Sequence, residues 1–168
     1  VQNGADHDEK SNIKNHARGA AVEYDTVTGR LHSAGMPAQM ILHVTENCPV
    51  RCTYCIFSET YEYTRNLTSV KMSLEVAIQA VNYFFDLLRP ISRKIPGKTA
   101  SVSFYGGEPL LEMCLIKQVV EYARKHSPVP ISFGVVSSFT VLTDDMMDFL
   151  VSNNVKVCIS LDGHKEDH

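Results

Sequence analysis

Hydrophobic and polar residues alternate in four short segments of the chain, and helical patterns separate these segments. The alternation predicts strands at residues 39–45, 99–105, 131–136 and 155–161. Between them, apolar residues recur at helical spacing from Leu74 to an expected end at Pro90, then over about 110–125, and again after a capping Thr143. This order of strands and helices predicts an α/β fold with a parallel sheet.

The beginning of the chain lacks any sustained apolar period. Residues 1–37 are polar and contain glycine, histidine and charged side chains, so we predict a linker or a flexible N-terminal arm with one short strand near Glu23. The remaining residues, 38–168, are expected to form the core domain.

The two faces of the predicted strands differ in composition. One face is apolar: Met40, Leu42, Val44, Val102, Phe104, Ile131, Phe133, Val135, Val155, Val157, Ile159 and Leu161. The other face is small or polar: His43, Thr45, Ser101, Ser103, Tyr105, Ser132, Gly134, Ser138, Lys156, Cys158, Ser160 and Asp162. Parallel strands covered by helices on both sides are normally apolar throughout. We therefore expect the apolar face to pack against helices and the polar face to line a cavity.

Composition limits the class of protein but does not identify it. The 168 residues are 44% hydrophobic and have a net charge of -3, which predicts one domain with a substantial core. No cluster of basic residues marks a nucleic-acid interface, and no apolar run approaches the length of a membrane span. Because no secretory signal is evident either, we expect a cytoplasmic protein.

Three cysteines within eight residues are the strongest chemical feature: Cys48, Cys52 and Cys55. Closely spaced thiolates suit a soft metal centre, either zinc or an iron-sulfur cluster. A structural zinc site needs a fourth ligand, which would be His43 or a residue of another chain, whereas a four-iron cluster held by three cysteines leaves one iron open. The other two cysteines, Cys114 and Cys158, lie in apolar stretches and are expected in the core.

The cysteine spacing, with Tyr54 directly before the third cysteine, resembles the signature of radical S-adenosylmethionine (SAM) enzymes. Three further segments, at 105–110, 137–142 and 160–163, fit that superfamily in the same order along the chain. Together the four segments resemble the SPASM-type branch that modifies peptides and proteins. The resemblance extends from about residue 40 to the last residue.

The resemblance implies the N-terminal part of a partial (β/α)6 barrel, similar to a TIM barrel, with four parallel strands and three helices present. The barrel would be truncated after the fourth strand, so we expect a piece of a longer enzyme that is inactive alone. Each of the four motifs falls at or just after the end of a strand. In parallel α/β sheets and barrels, ligands bind at that edge.

The resemblance also implies roles for individual residues. The three cysteines would hold a [4Fe-4S] cluster, and SAM would bind its open iron. The implied SAM-binding residues are Tyr54, Gly106, Gly107, Glu108, Ser138, Ser160 and Asp162. Tyr54 would contact the adenine, the segment 106–108 would bind the amino group, and Ser138 would bind the ribose or carboxylate.

Each of these residues also has an ordinary structural explanation. Tyr54 could be a packing aromatic, the segment 106–109 a glycine turn before a helix, and Ser138 a turn serine. Ser160 and Asp162 contact either SAM or substrate, or form a strand-ending turn. Phe139 departs from the family pattern, which commonly has glycine there, so the conformation of this turn needs the structure to decide it.

The implied reaction is reductive cleavage of SAM by an electron from a small flavodoxin-type or ferredoxin-type carrier. A 5′-deoxyadenosyl radical then takes a hydrogen atom from a peptide substrate, and no side-chain acid, base or nucleophile is required for the cleavage. We expect crosslink formation, in particular thioethers in a ribosomal peptide. The alternatives are a sulfatase-type cysteine or serine maturase and, from a different class, a zinc-stabilised noncatalytic binding module.

Overall fold

The structure is a computed structural model that describes residues 22–25, 30–33, 39–57 and 68–163. The chain divides into two compact units, Val1–Met36 and Pro37–His168. In the first unit, strands β1 (Val22–Asp25) and β2 (Arg30–Ser33) pair in antiparallel fashion, and β1 is the strand expected near Glu23. The boundary that the sequence predicts at residue 37 lies outside the described residues.

The second unit alternates strands and helices. Its elements are β3 (Gln39–Thr45), α1 (Leu74–Ser92), β4 (Ala100–Gly106), a 3-10 turn (Pro109–Glu112), α2 (Met113–His126), β5 (Ile131–Ser137), α3 (Asp144–Ser152) and β6 (Val155–Ile159). The four strands form one parallel sheet in the order β3, β4, β5, β6. The predicted α/β fold is therefore confirmed. Across the described residues, no helix is both long and apolar enough to span a bilayer.

Local sequence signals set the starts of α1 and α3, but the end of α1 differs from prediction. The side chains of Ser73 and Thr143 cap α1 and α3 by accepting bonds from Val76 N and Met146 N. The expected stop at Pro90 was wrong, because α1 continues to Ser92. Proline lacks the N–H for the carbonyl four residues earlier, so one bond is lost in the last turn, yet the following residues keep helical geometry.

The second predicted helix is divided at its start. Pro109 begins a 3-10 turn, and α2 proper begins only at Met113. Proline is favourable in the first turn of a helix because its missing N–H has no partner there. The turn therefore lets the chain leave β4 and enter α2 over a short distance.

The core lies between the apolar face of β3, β4 and β5 and the helices α1 and α2. Its largest fully buried members include Phe85, Phe104, Phe133 and Ile116. On β6 the expected packing was wrong beyond Val155, because Val157, Ile159 and Leu161 are 40%, 53% and 72% exposed. Helix α3 has a single buried side chain, Leu150, and so covers only the start of this strand. The strand itself also ends at Ile159, two residues earlier than predicted.

Two aromatic residues on α1 test this division between core and surface. Phe85 is fully buried, whereas Tyr83 is 67% exposed. We expect Phe85→Ala to lower the free energy of unfolding by about 3–5 kcal/mol through the cavity it leaves. Tyr83→Ala, the matched control on the same helix, should change it by less than about 1 kcal/mol. Urea denaturation measures both values, and equal losses would contradict the assigned core.

Candidate functional site

The loop that contains the three cysteines is closed at its base by strand-like pairing. Glu46 N donates to Val70 O at 2.9 Å, and Met72 N donates to Val44 O at 2.9 Å. The Thr45 side chain also donates to Val70 O, at 3.3 Å. The chain therefore leaves the carboxyl end of β3 and returns beside the same point. Residues 58–67, in the middle of this excursion, lie outside the described residues.

The three cysteine thiols are partly exposed within this loop: Cys48, Cys52 and Cys55. A bond from Cys55 N to Cys52 O, 3.1 Å long, closes a tight turn between the last two. Burial raises the pKa of the Cys48 thiol; a backbone hydrogen bond at Val50 lowers it, while nearby Glu108 and the other two cysteines raise it further. The thiols thus lie within electrostatic reach of one another and of Glu108.

This arrangement differs from a preformed site for one metal ion. Among the described residues, no group of three or more His, Cys, Asp or Glu side chains surrounds a single ion position. His43, the possible fourth zinc ligand, makes tilted contacts with two aromatic rings, with its centroid 5.0 Å from that of Phe57 and 5.9 Å from that of Tyr105. The candidate ligands are three thiols on one loop, and cysteine thiolates are the ligand type that holds iron-sulfur clusters.

Two glycines at the end of β4 allow the cysteine loop to dock on the sheet. Gly107 N donates to Thr45 O, and Glu108 N donates to Asn47 O, both at 2.8 Å. A Cβ on Gly106 would lie 2.3 Å from Thr45 O, and one on Gly107 would lie 2.3 Å from Asn47 O. Gly106 also has a φ of +147°, which side chains rarely permit. Any larger residue would push the loop away from β4.

The Glu108 carboxylate joins the end of β4 to the end of β5. It is 1% exposed and accepts four hydrogen bonds. Oε1 accepts from Leu110 N at 3.1 Å and from Ser137 Oγ at 2.7 Å. Oε2 accepts from Ser138 N at 3.0 Å and from Ser138 Oγ at 2.6 Å. Protein donors therefore contact both carboxylate oxygens of Glu108, a residue that the sequence resemblance implies in SAM binding.

The turn after β5 keeps a glycine-like conformation although it contains phenylalanine. Phe139 has a φ of +62°, in the left-handed region. Its N–H donates to Ser137 Oγ at 2.9 Å, its carbonyl accepts from Leu142 N at 3.2 Å, and its side chain packs partly against the core. Such a conformation costs a non-glycine residue about 1–3 kcal/mol, which the surrounding contacts offset. Phe139 thus adopts a backbone conformation that glycine would accept without strain.

The segment after β6 reaches the cysteine loop through one side-chain contact. The Tyr54 hydroxyl donates a hydrogen bond to Asp162 Oδ2. This bond, followed by one to Cys52, raises the pKa of Tyr54. Ser160 N donates to Ser137 O at 3.0 Å and so keeps the same segment beside β5. All four sequence motifs therefore meet at the carboxyl edge of one sheet.

The structure gives three residues a connecting role that the sequence analysis did not predict. Thr45, Asn47 and Ser137 form the bonds that connect the motifs, and Ser137 is 3% exposed. The sequence signal that could have identified them is their position at or just after the ends of strands, where the motifs also lie. The expectation that Cys114 and Cys158 belong to the core was wrong, because both are exposed. Cys158 projects from the polar face of β6, where its neighbours at alternate positions are Lys156 and Ser160.

Comparison with known proteins gives one family. The profile of the radical SAM superfamily matches residues 42–168. The chain is 26% identical over 133 residues to the radical SAM cyclopropyl synthase TigE of Paramaledivibacter caminithermalis, covering 76% of this chain and 27% of TigE. It is 25% identical over 134 residues to a cysteine-type anaerobic sulfatase-maturating enzyme of Clostridium novyi, covering 78% of this chain and 34% of that enzyme.

Solved structures agree with the fold. Native anSMEcpe with bound AdoMet is 28% identical, with a TM-score of 0.59 over 77% of this chain and 34% of that chain. The same protein with bound AdoMet and the Kp18Cys peptide is 25% identical, also with a TM-score of 0.59, over 77% of this chain and 33% of that chain. The chain spans 27–38% of the length of the relatives that it matches.

The bonds to Glu108 give the first prediction for the site. Glu108→Gln keeps the size of the side chain but turns one acceptor oxygen into an NH2 group facing Ser138 or Leu110 donors. We expect the free energy of unfolding to fall by about 2–3 kcal/mol, the cost of mismatched bonds to a buried charged group. Glu121→Gln on the exposed surface of α2 is the control and should be near neutral. A Glu108 variant as stable as this control would disprove that the four bonds to its carboxylate stabilise the two strand ends.

The close approach at Gly107 gives the second prediction. We expect Gly107→Ala to destabilise the protein by about 1–3 kcal/mol, because its Cβ overlaps a backbone oxygen that cannot move alone. Gly134→Ala is the matched control within a strand. Its Cβ would lie 3.3 Å from Ser103 Oγ and 3.6 Å from the Lys156 carbonyl oxygen, with no contact under 3.0 Å, so its effect should stay within about 1 kcal/mol of zero. Thermal unfolding compares the two, and similar midpoints would contradict the proposed steric constraint.

Proposed function

The chain belongs to the radical SAM superfamily, and on that premise we propose that it forms the cluster-binding and SAM-binding part of an enzyme that modifies a peptide. One observation supports this most directly. The cysteine loop, the Gly106-Gly107-Glu108 segment, the Ser137-Ser138 turn and Asp162 meet at one sheet edge through hydrogen bonds. Ligands bind at this edge in parallel α/β folds.

The cofactors of the superfamily are a [4Fe-4S] cluster and SAM. We assign the cluster to Cys48, Cys52 and Cys55, whose thiol set and common loop fit it. When bound, the cluster supplies one electron to SAM, whose cleavage yields methionine and a 5′-deoxyadenosyl radical that takes a hydrogen atom from substrate. A small electron carrier of the flavodoxin or ferredoxin type would provide the electron.

The residues at the sheet edge would hold and orient SAM. We assign the SAM amino group to the Gly106-Gly107-Glu108 segment, because it lies at the carboxyl end of β4, the edge where ligands bind in parallel α/β folds. Glu108 would affect SAM binding indirectly. Its carboxylate bonds to Ser138 and so fixes the conformation of that turn. Ser138, Ser160 and Asp162 would contact the ribose, the carboxylate or the substrate. Tyr54, tied to Asp162, would border the adenine.

We propose a peptide substrate and crosslink formation, with a thioether as the leading product. Support comes from a relative named for forming a cyclopropyl group and from a related structure that contains a peptide. The second candidate is oxidation of a cysteine or serine in a sulfatase, because three matched proteins are named cysteine-type anaerobic sulfatase-maturating enzymes. A noncatalytic zinc module is the alternative from another class. We also infer a cytoplasmic location.

Anaerobic reconstitution with iron and sulfide tests the cluster assignment. We expect about four iron and four sulfide per chain and a visible absorbance that dithionite bleaches. Cys48→Ala, Cys52→Ala and Cys55→Ala should each lose most of this absorbance, whereas Cys114→Ala, the matched control on α2, should retain it. A colourless protein that binds zinc instead would refute the enzyme hypothesis.

The product distinguishes the two maturases. Mass spectrometry of a modified peptide should show the sulfur retained and the cysteine no longer open to alkylation if a thioether forms. Loss of the cysteine sulfur would instead identify the sulfatase-type reaction.

A further inference from the structure

The polar face of the sheet forms an open concavity below the sheet edge that joins the four motifs. It has a volume of about 360 Å³ and is lined by residues of all four strands. Three serines, Ser101, Ser103 and Ser132, and one glycine, Gly134, are among the residues that line it. A surface with such small side chains leaves room for a ligand group between the strands.

Three residues of the concavity lie in one row across the sheet. Ser103 of β4 pairs with Gly134 of β5, and Gly134 pairs with Lys156 of β6. Since paired residues of a sheet point to the same side, Gly134 leaves a gap between a hydroxyl and an ammonium group. A Cβ at Gly134 would already lie 3.3 Å from Ser103 Oγ, so the gap is bounded closely on that side.

Both groups that flank the gap are hydrogen-bond donors. Lys156 is the single charged residue lining the concavity, and it forms no ion pair with any residue that the structure describes. Ser103 Oγ accepts a bond from Gln39 Nε2 at 2.8 Å, which leaves its own hydrogen to donate. An exposed cation and a hydroxyl donor in one row, with only a glycine between them, favour a ligand with negatively charged acceptor oxygens.

We propose that this row, Ser103, Gly134 and Lys156, binds a carboxylate of the peptide substrate. The inference rests on the proposed peptide-modifying function and adds the chemical class of the substrate residue held beside the SAM edge. A single ammonium and a single hydroxyl match the two oxygens of one carboxylate. The carboxylate belongs either to an aspartate or glutamate side chain or to the end of a peptide chain.

Cys158 provides a built-in reporter of ligand binding. It lines the same concavity two residues after Lys156, and it is exposed, so iodoacetamide can reach it. Cys114, exposed on α2 away from the concavity, is an internal control in the same molecule. The experiment measures alkylation of both sites by peptide mapping in the cluster-loaded protein. The probes are acetyl-Gly-Asp-Gly-amide, its asparagine counterpart, and acetyl-Gly-Gly-Gly with a free carboxyl end.

We expect the aspartyl peptide to slow alkylation of Cys158 but not of Cys114. Its half-protecting concentration should be about tenfold lower than that of the asparaginyl peptide, as expected for one charge-assisted bond. Protection by the free-acid glycine peptide would identify a chain terminus as the second source of the carboxylate. Equal protection by the aspartyl and asparaginyl peptides, or none by any carboxylate, would overturn the inference.

Variants of Lys156 separate charge recognition from changes in structure. Lys156 is exposed, so Lys156→Gln and Lys156→Arg should fold normally. The glutamine variant should lose the tenfold preference for aspartate, while the arginine variant should retain it, with each rate compared with that of the same variant without peptide. A preference unchanged in Lys156→Gln would refute the role of Lys156. Absence of a cluster in the wild-type protein would count against the proposed function instead.

Discussion

The buried carboxylate of Glu108 is the interaction on which the arrangement of this site depends. It is desolvated beside the cysteine loop, and a buried charge is tolerated only when its oxygens are well bonded. Four donors from two strand ends satisfy that requirement. Because the backbone N–H of Glu108 also bonds to Asn47 O, this residue fixes the position of the cysteine loop relative to the Ser137-Ser138 turn. One residue therefore links the ends of three strands, through its backbone N–H and its side chain.

The glycines and the carboxylate act together. Gly106 and Gly107 let the end of β4 contact the backbone of the cysteine loop directly. Glu108 is the next residue, and its carboxylate reaches the end of β5. Two glycines followed by an acid thus make the close backbone contact and the carboxylate bonds within three consecutive residues. The loops at the carboxyl edge carry the chemistry while the helix-facing side of the sheet provides stability, which separates the two demands on the same strands.

Much of the fold followed from local pattern. Alternation of apolar residues located the strands, and Ser73 and Thr143 marked two helix starts, because these signals act over a few residues. Other features depended on neighbours distant in sequence. Strand alternation had already placed Cys158 on the polar face, and the core position expected from its apolar neighbours was wrong because the described residues leave that face of β6 uncovered. The position of α3 relative to the sheet, which leaves Ile159 exposed, had no local signal.

The sequence by itself determined the type and spacing of three thiols, the order of four motifs and the alternating α/β plan. These properties are local, since ligand identity and hydrophobic period can be counted along the chain. Only the tertiary structure decided that Glu108 faces Ser137 and Ser138 and that Tyr54 meets Asp162, residues 108 positions apart. It also decided that Phe139 adopts a left-handed conformation. Such contacts depend on how strands align in space, which residue order alone does not specify.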